Sequence, residues 1–315
     1  MMLLAGIDEA GLGPVLGPML TASAALLVPD DWEPASPWER LAPAVRETWS
    51  KKNPATAVAD SKEIHKAGGM RALETAVGVF SLLANGSPEP ESPRAAETES
   101  APHPCYAGTE ARFPVCIDVS DLERESDAVS RALDAAGARA VHLQTVRLHE
   151  TAFNDRCASG LNKNQILLRE TGGHLKRLVE KFTDCPIVAV VDKQGGRNDY
   201  LPFLTGLFPG AWIETLESGA AASVYRMRRR GGDVRLYFRA KADRTSFPTA
   251  LASMAAKYER ERAMTDFNAW FCNRIEGLKT TAGYPEDAKR WLAEVRKREA
   301  ECQGELLLDL VVRKR

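Results

Sequence analysis

The sequence predicts an α/β protein with a mixed sheet flanked by helices. Two apolar segments, at 2–7 and 18–28, are separated by a glycine- and proline-rich turn, which predicts a β-hairpin. Further along, an amphipathic segment at 162–182 is followed by the β-branched run at 186–191, which is typical of a buried central strand. A hairpin followed by alternating helix and strand fits one mixed sheet with helices on its faces.

The rest of the chain is predicted to continue this pattern and to end in a helical extension. We assign residues 1–275 to the main domain and 276–315 to a helical C-terminal extension. Periodicity and turn residues further predict helices at 60–80, 121–137, 249–275 and 287 to about 300, and strands at 113–119, 140–148, 212–216 and 234–238.

Two segments are interpreted as insertions in the main domain. Residues 30–57 contain three tryptophans and four prolines, which indicates irregular structure with a short helix between 38 and 49. Residues 86–104 are rich in Pro, Ser and Glu and poor in apolar side chains, so they are predicted to form an extended loop within an insertion reaching to about 112. Because such a loop buries little apolar surface, we expect it to be dispensable.

Composition sets only broad limits on function. Lys and Arg number 42 against 43 Asp and Glu, so the net charge of −1 does not advertise a nucleic-acid partner. The six cysteines show no zinc-site spacing, which favours a reducing compartment and a cytoplasmic location. The N-terminus lacks the basic start of a signal peptide and no apolar run could span a bilayer, so no membrane partner is expected.

Local charge is more informative than the sum. Between residues 226 and 244 the chain carries eight basic side chains, at Arg226, Arg228, Arg229, Arg230, Arg235, Arg239, Lys241 and Arg244. Only Asp233 and Asp243 oppose them. This basic strip is interpreted either as a solvated hairpin or as a surface that follows nucleic-acid phosphates.

An acidic pair, Asp8 and Glu9, closes the first apolar run and is followed at once by glycine-rich sequence. Neighbouring side chains of a strand point to opposite faces, so both acids can reach one site only if the strand ends there. A solvated pair at a strand end is the ordinary interpretation. Two carboxylates at the end of a buried strand are otherwise costly unless a cation neutralises them, and hard ions such as Mg²⁺ prefer carboxylate oxygen.

Five motifs in order support the second interpretation. They are GIDEAGLGPVLGP at 6–18, DSK at 60–62, VVD at 190–192, KAD followed by ALASMAAKY between 241 and 258, and GYP at 283–285. In type and order these motifs resemble the signature of the type 2 ribonucleases H, the family of ribonucleases HII and HIII and their eukaryotic relatives. The matches run from residue 3 to about 295.

The resemblance implies a fold and an activity. The fold would be ribonuclease H-like, with a mixed five-stranded sheet, flanking helices and a helical C-terminal extension. The activity would be a metal-dependent endoribonuclease that cuts the RNA strand of RNA/DNA hybrids, or ribonucleotides embedded in duplex DNA, leaving 5′-phosphomonoester ends. Two Mg²⁺ or Mn²⁺ ions would be the cofactors, and a monomer active in DNA replication and repair would be expected.

The resemblance also distributes roles among the acids. Asp8 would bridge both metal ions, while Glu9, Asp192 and Asp243 would complete their coordination and help to orient the attacking water. Each acid also has a purely structural interpretation. Asp192 could cap a turn before the glycines that follow it, and Asp243 could cap the N-terminus of the next helix.

The turn Gly11-Leu12-Gly13 is a candidate substrate-binding element. In the family, a Gly-Arg-Gly turn at this place senses the ribose 2′-hydroxyl, the group that distinguishes RNA from DNA. Here leucine replaces the arginine, so the backbone donors remain but a charge-assisted bond worth roughly 1.5–3 kcal/mol is lost. We therefore expect single ribonucleotides to be cut less well than hybrids, which can add phosphate contacts along the basic strip.

Three other side chains are candidate substrate contacts. Tyr284 resembles the family tyrosine that stacks on the deoxyribose beside the ribonucleotide, although it could simply pack beneath the last helix. Lys62 and Lys241 are candidate phosphate contacts. Asp60 could act in the site, and a helix cap with Glu63 three residues later is at least as good an interpretation.

Two alternative functions remain open. Leu12 and the insertions could mark a catalytically weak relative that binds nucleic acid with an altered preference. Retention of all four acids argues against this, because a pure binder gains nothing from carboxylates beside phosphate. Another ribonuclease H-fold nuclease, such as a DNA-resolving enzyme, is disfavoured by the KAD and GYP motifs.

Overall fold

The computed structural model of the protein describes residues 1–52, 55–92, 101–107, 113–298 and 306–314. Its strands are β1 Met2–Ala10, β2 Met19–Val28, β3 Arg139–Leu148, β4 Ile187–Asp192, β5 Trp212–Ser218, β6 Ala222–Arg228 and β7 Val234–Arg239. Its helices are α1 Ser36–Arg40, α2 Ser61–Asn85, α3 Val119–Ala135, α4 Glu150–Ala158, α5 Lys163–Lys181, α6 Leu201–Leu207, α7 Phe247–Cys272 and α8 Pro285–Arg298. Short 3₁₀ turns lie at Pro104–Tyr106, Ala242–Arg244 and Leu308–Leu310.

All strands belong to one sheet in the order β3-β2-β1-β4-β7-β6-β5. β4 is parallel to β1 and β7, and the other neighbours are antiparallel, so the predicted mixed α/β class is confirmed. The sheet has seven strands rather than the expected five, because β6 and β5 extend the five-strand series beyond β7. β6 was hidden by its arginines, which made the segment resemble a solvated hairpin.

The predicted strand at 113–119 is wrong. Residues 113–117 form a loop whose backbone N–H groups at Val115, Cys116 and Ile117 donate to the buried Glu74 carboxylate on α2. The Tyr258 hydroxyl donates to the same carboxylate at 2.6 Å. The apolar run therefore satisfies its amides with a side chain instead of a neighbouring strand.

The helices cover both faces of the sheet. On one face α2, α3 and α7 pack against β1, β2 and β3, and on the other α5 and α6 pack against the parallel strands. Helix α7 is buried almost all round, which explains why its sequence shows no clear apolar stripe. Sequence analysis missed α4 and α6, which are short and poorly periodic.

Gly6 lets the start of α7 lie directly on β1. A Cβ at this position would be 2.0 Å from the backbone nitrogen of Thr249 and 2.3 Å from the carbonyl carbon of Pro248. Thr249 Oγ1 donates to the Val190 carbonyl at 3.0 Å, which ties the helix to β4 as well. The glycine that opens the first motif is therefore required by packing beside the two acids.

We expect Gly6→Ala to lower the free energy of unfolding by about 3 kcal/mol or more, because the added methyl group meets backbone atoms that cannot rotate away. Gly206→Ala on α6 is the matched control, since a Cβ there has nothing within 4 Å. Urea unfolding of both variants would measure the difference. Equal stability of the two variants would contradict this packing.

The segment after α7 packs on the main sheet unit. Phe267 and Phe271 on α7 meet Trp291 on α8, and Leu16 and Val311 complete the same cluster. Leu16 also pairs with Val312 in an antiparallel bridge. The boundary predicted at residue 275 therefore separates two chain segments that share a core. The division into a main domain and a C-terminal extension stays a prediction.

The structure describes parts of both insertions. Within 30–57 the short helix is α1, at Ser36–Arg40, where Trp38 packs edge-on against Phe247. Of the loop predicted at 86–104, residues 93–100 lie outside the described part of the chain. Glu91 pairs with Gln144 on β3, and the buried His103 bonds to the Leu306 carbonyl. That residues 86–104 are dispensable stays a prediction, and replacing them would remove these two contacts.

In the described ranges, we find no helix that combines the length and apolar character needed to cross a bilayer.

Candidate active site

A cleft of about 500 Å³ opens beyond the carboxyl ends of β1 and β4. Asp8, Glu9, Asp192 and Asp243 all line it, although they span more than two hundred residues of sequence. The end of a central parallel strand is where α/β sheets commonly bind ligands. The structure thus brings the four predicted acids to one cavity.

Strand register explains how the first three acids meet. Ile7 pairs with Val191 in the parallel β1–β4 ladder, so Asp8 and Asp192 follow on neighbouring strands. β1 does not end at the acids as expected. It continues to Ala10 against β2, while its β4 side is open beyond Ile7. This one-sided opening gives Glu9 access to the same cleft.

Asp243 is delivered by a tight turn after β7. Lys241 has φ of 55° and ψ of 44°, a left-handed conformation that is uncommon for a residue with a side chain. The turn lets the Ala242 N–H donate to Asp192 Oδ1 at 2.9 Å and starts the 3₁₀ turn that carries Asp243. Backbone strain of this kind persists only where the surrounding structure enforces it.

The acids influence one another's protonation. Burial raises the pKa of Asp8 well above its usual range, and the charges of Glu9 and Asp192 raise it further. Burial is also the main cause that raises the pKa values of Glu9, Asp192 and Asp243. The charge of Asp192 adds to the effect at Glu9, and the charge of Asp243 adds to it at Asp192. Full ionisation of the four acids is therefore disfavoured while no cation is bound.

The donor set suits a hard divalent cation. It offers only carboxylate oxygens from β1, β4 and the turn after β7, and a cation would relieve the repulsion that raises their pKa values. As the side chains stand, no three His, Cys, Asp or Glu groups in the described part of the chain form a ready coordination set. The four acids that line the cleft are the residues that would hold such an ion.

Sequence analysis missed a polar row on α7 that faces the acids. Ser253, Lys257 and Arg260 all line the cleft. Ser253 lowers the pKa of Asp8 through a hydrogen bond, and its hydroxyl lies 3.1 Å from that of Ser61. Their spacing of four and three residues places them on one face of the helix, which was the available signal.

Most of the predicted substrate contacts lie around the same cleft. Gly11, Gly13, Lys62, Lys241 and Tyr284 line it. The Tyr284 side chain is not packed beneath the last helix, because the residue is 51% exposed. Its ring lies at the edge of the cleft, 5.7 Å from the Arg260 guanidinium.

Leu12 lies on the other side of the turn. It packs against the apolar cluster of Met19 and Phe153 and lines a neighbouring cavity instead of the acidic cleft. Its effect on single-ribonucleotide cleavage stays a prediction.

The structure distinguishes the capping roles considered for Asp60 and Asp243. Asp60 does cap α2, accepting from the Lys62 and Glu63 N–H groups, and it also pairs with Arg244 at 3.3 Å at the edge of the cleft. Asp243 does not cap α7, because Ser246 fills that position. These contacts leave Asp243 without the capping role that the sequence allowed.

The basic strip is not one continuous surface. Arg229 donates to the carbonyls of Gly232, Val179, Phe182 and Cys185 and so holds the β6–β7 turn in place. Arg226 pairs with Glu214 on β5. Arg235 and Arg239 line a separate cavity, so phosphate tracking along the whole strip is not supported.

Fold and cleft together define an α/β protein with an acidic, cation-suited site beyond the ends of its central parallel strands. Compared with solved structures, the chain is similar along most of its length to ribonucleases HII and HIII. No protein-family model matches the sequence, and no curated protein does.

Three solved structures illustrate the likeness. The PCNA:RNase HII complex from Archaeoglobus fulgidus gives a TM-score of 0.44 at 17% identity, covering 100% of this chain and 95% of that one. Ribonuclease H2 from Pyrococcus horikoshii OT3 gives 0.41 at 16%, covering 95% and 89%. Bst-RNase HIII in complex with Mn²⁺ gives 0.42 at 16%, covering 99% and 66%. At such identity and overlap the likeness assigns no activity to this chain.

Proposed function

We propose that this protein is a type 2 ribonuclease H, a metal-dependent endoribonuclease acting on RNA/DNA hybrids or on ribonucleotides embedded in duplex DNA. The observation that carries the proposal is the meeting of Asp8, Glu9, Asp192 and Asp243 in one cleft beside basic and hydroxyl side chains. A helix-capping role does not account for Asp243, because Ser246 caps α7, while Asp192 accepts the Ala242 N–H and also lines the cleft. Clustered carboxylates that can hold cations, beside basic side chains that can meet phosphates, suit metal-assisted phosphodiester hydrolysis.

The four acids would hold two Mg²⁺ or Mn²⁺ ions. Such ions supply neutralisation of the phosphate and activation of water. Within the chain, the Glu9 N–H donates to Asp8 Oδ1 at 2.8 Å, and the Ala242 N–H donates to Asp192 Oδ1 at 2.9 Å.

Substrate would be held from both sides of the acids. We expect Lys62 and Lys241 to neutralise backbone phosphates, joined by Lys257 if it exchanges its partner Glu261 for a phosphate, and exposed Tyr284 to offer a ring for a sugar. The Leu12 and Gly13 N–H groups have no acceptor within the described part of the chain, and Gly13 lacks a Cβ between its backbone and the cleft. These two amides are the candidate sensors of a 2′-hydroxyl.

The wider assignments follow from the same proposal. We place the activity in DNA replication and repair, in a monomer in the cytoplasm, with 5′-phosphomonoester products. The unpaired cysteines at 105, 116, 157, 185 and 272 are consistent with a reducing compartment.

The test is cleavage of labelled duplexes that carry one ribonucleotide, four ribonucleotides or a complete RNA strand, each with Mg²⁺ and with Mn²⁺. We expect cuts only in the ribonucleotide-containing strand, 5′-phosphate ends, and no cleavage after chelation. An all-DNA duplex is the control. Tight hybrid binding without cleavage would favour the catalytically weak relative, and cleavage of all-DNA branched substrates would favour a DNA-resolving nuclease.

A further inference from the structure

The C-terminal segment returns to the glycine turn. The Arg313 N–H donates to the Val15 carbonyl at 2.8 Å, beside the bridge between Leu16 and Val312. Asn154 on α4 holds the segment from the other side, donating to the Val312 carbonyl at 2.8 Å and accepting from the Lys314 N–H at 2.7 Å. Hydrogen bonds to their backbone groups therefore fix residues 312–314 beside Val15 and Leu16.

This arrangement buries the Arg313 guanidinium against the turn. Arg313 is only 4% exposed, and its Nη2 donates to the Gly11 carbonyl at 2.7 Å, a contact across 302 residues of sequence. The guanidinium lies 5.2 Å from the centre of the Phe153 ring. Nε and Nη1 are buried and have no partner among the described residues. Burying an incompletely paired charge is costly, so stability alone does not explain an arginine here.

Burial lowers the pKa of Arg313 to about 10, while the charge of Glu150 works in the opposite direction. The side chain therefore stays charged at neutral pH. Glu150 is itself fully buried and accepts from the Tyr106 hydroxyl at 2.6 Å. A charged donor to Gly11 is thus maintained inside the fold, where a hydrogen bond of this kind is strong.

The bond to Gly11 controls the direction of the next amide. In a trans peptide the carbonyl of Gly11 and the N–H of Leu12 point in opposite directions, so fixing one fixes the other. The other side of Gly11 is also restricted, since a Cβ there would be 2.7 Å from Arg260 Nε and 2.8 Å from the Pro18 carbonyl oxygen. Arg313 therefore holds the turn from one side, and Arg260 and Pro18 confine it from the other.

We propose that Arg313 is a positioning residue for the turn that reads the substrate sugar. It holds the Gly11 carbonyl from the side opposite the cleft, and so presents the Leu12 and Gly13 N–H groups to a 2′-hydroxyl. This inference rests on the proposed function and deepens it, because it names the source of selectivity for ribose. Leucine at position 12 is then free to pack into the apolar cluster around Phe153.

The test compares Arg313→Met and Arg313→Lys with Lys314→Met, whose side chain is exposed at the next position. The first readout is amide hydrogen exchange in residues 10–16. The second is the ratio of dissociation constants for an all-DNA duplex and the same duplex with one ribonucleotide, measured in Ca²⁺. We expect Arg313→Met to speed exchange and to lower the ratio about tenfold. Arg313→Lys should give an intermediate result and Lys314→Met no change.

The outcomes separate the two proposals. If the wild type neither distinguishes the two duplexes nor cuts RNA, the proposed function fails and this inference falls with it. If the wild type distinguishes them and both Arg313 variants keep its ratio, only the inference is overturned, whether or not exchange changes. Should Arg313→Met fail to fold, Arg313→Lys decides, because it keeps the charge and removes the fork that bonds to Gly11.

Discussion

Asp8→Asn is expected to reduce cleavage of an RNA/DNA hybrid by more than about a hundredfold, since even the outer-shell partners of metal ligands are typically worth 10–100-fold. Hybrid binding should be unchanged or tighter, because one negative charge beside the phosphates is removed. Asp134→Asn on the exposed face of α3 is the matched control and should leave cleavage unchanged. Loss of binding together with cleavage would indicate a folding defect instead.

The same variant has an expected signature in stability. The pKa of Asp8 is higher in the folded than in the unfolded protein, so folding takes up protons. The buried Asp8 carboxylate therefore destabilises the fold fully above its raised pKa. This destabilisation is absent below the unfolded pKa of about 3.9, where the group is protonated in both states. Without divalent ions, Asp8→Asn should therefore melt higher than the wild type at pH 7, with the difference shrinking towards pH 4. Added Mg²⁺ should stabilise the wild type more than the variant.

Cleavage by the wild type should rise with pH from the acid side. Carboxylates bind cations only when deprotonated, and the pKa values of Asp8, Glu9, Asp192 and Asp243 are all raised. Lower pH should consequently increase the Mg²⁺ concentration needed for half-maximal activity. A requirement for Mg²⁺ that is constant between pH 5 and 8 would contradict coordination by these acids.

Glu74→Ala is expected to cost about 4 kcal/mol or more in the free energy of unfolding. The fully buried carboxylate accepts from three backbone N–H groups at 2.5–2.8 Å and from the Tyr258 hydroxyl. Each buried donor left without an acceptor costs about 1–3 kcal/mol. Denaturant unfolding would measure the loss, which should also loosen the loop after residue 113.

Two further variants define the origin of that effect. Glu74→Gln keeps the shape but turns one acceptor oxygen into a donor that faces the N–H groups of Cys116 and Ile117, so it should destabilise less than alanine but clearly. Glu123→Ala, at an exposed position of α3, should cost less than about 0.5 kcal/mol. A small loss for Glu74→Ala would mean that water replaces the carboxylate.

The sequence predicted the parts of this molecule that local patterns encode. The hairpin of β1 and β2, the buried strand β4 and the long helix α7 follow from apolar runs and turn residues, and the acids Asp8 and Glu9 follow from their place after one such run. The errors have physical causes. The loop after residue 113 has a strand-like pattern, but its amides bond to Glu74, which lies about forty residues away in sequence.

Contacts between segments that are distant in sequence could not be predicted from local patterns. Arg313 meets Gly11 only because Val312 pairs with Leu16, and no pattern near either residue encodes that bridge. The spacing of Ser253, Lys257 and Arg260 on α7 could have revealed this polar row. No local pattern indicates the left-handed backbone conformation of Lys241. Polar residues that serve a site depend on which elements fold together, and this is the information that one sequence encodes least directly.

The central claim is that the four carboxylates bind divalent cations at the scissile phosphate. The most direct measurement is an anomalous difference map from crystals grown with Mn²⁺ and an RNA/DNA hybrid bound to the otherwise intact Asp243→Asn variant, chosen to slow cleavage. We predict manganese peaks in direct contact with Asp8 and a hybrid phosphate, with Glu9 and Asp192 also coordinating. Manganese absent from this cleft, with the hybrid bound elsewhere on the protein, would contradict the claim.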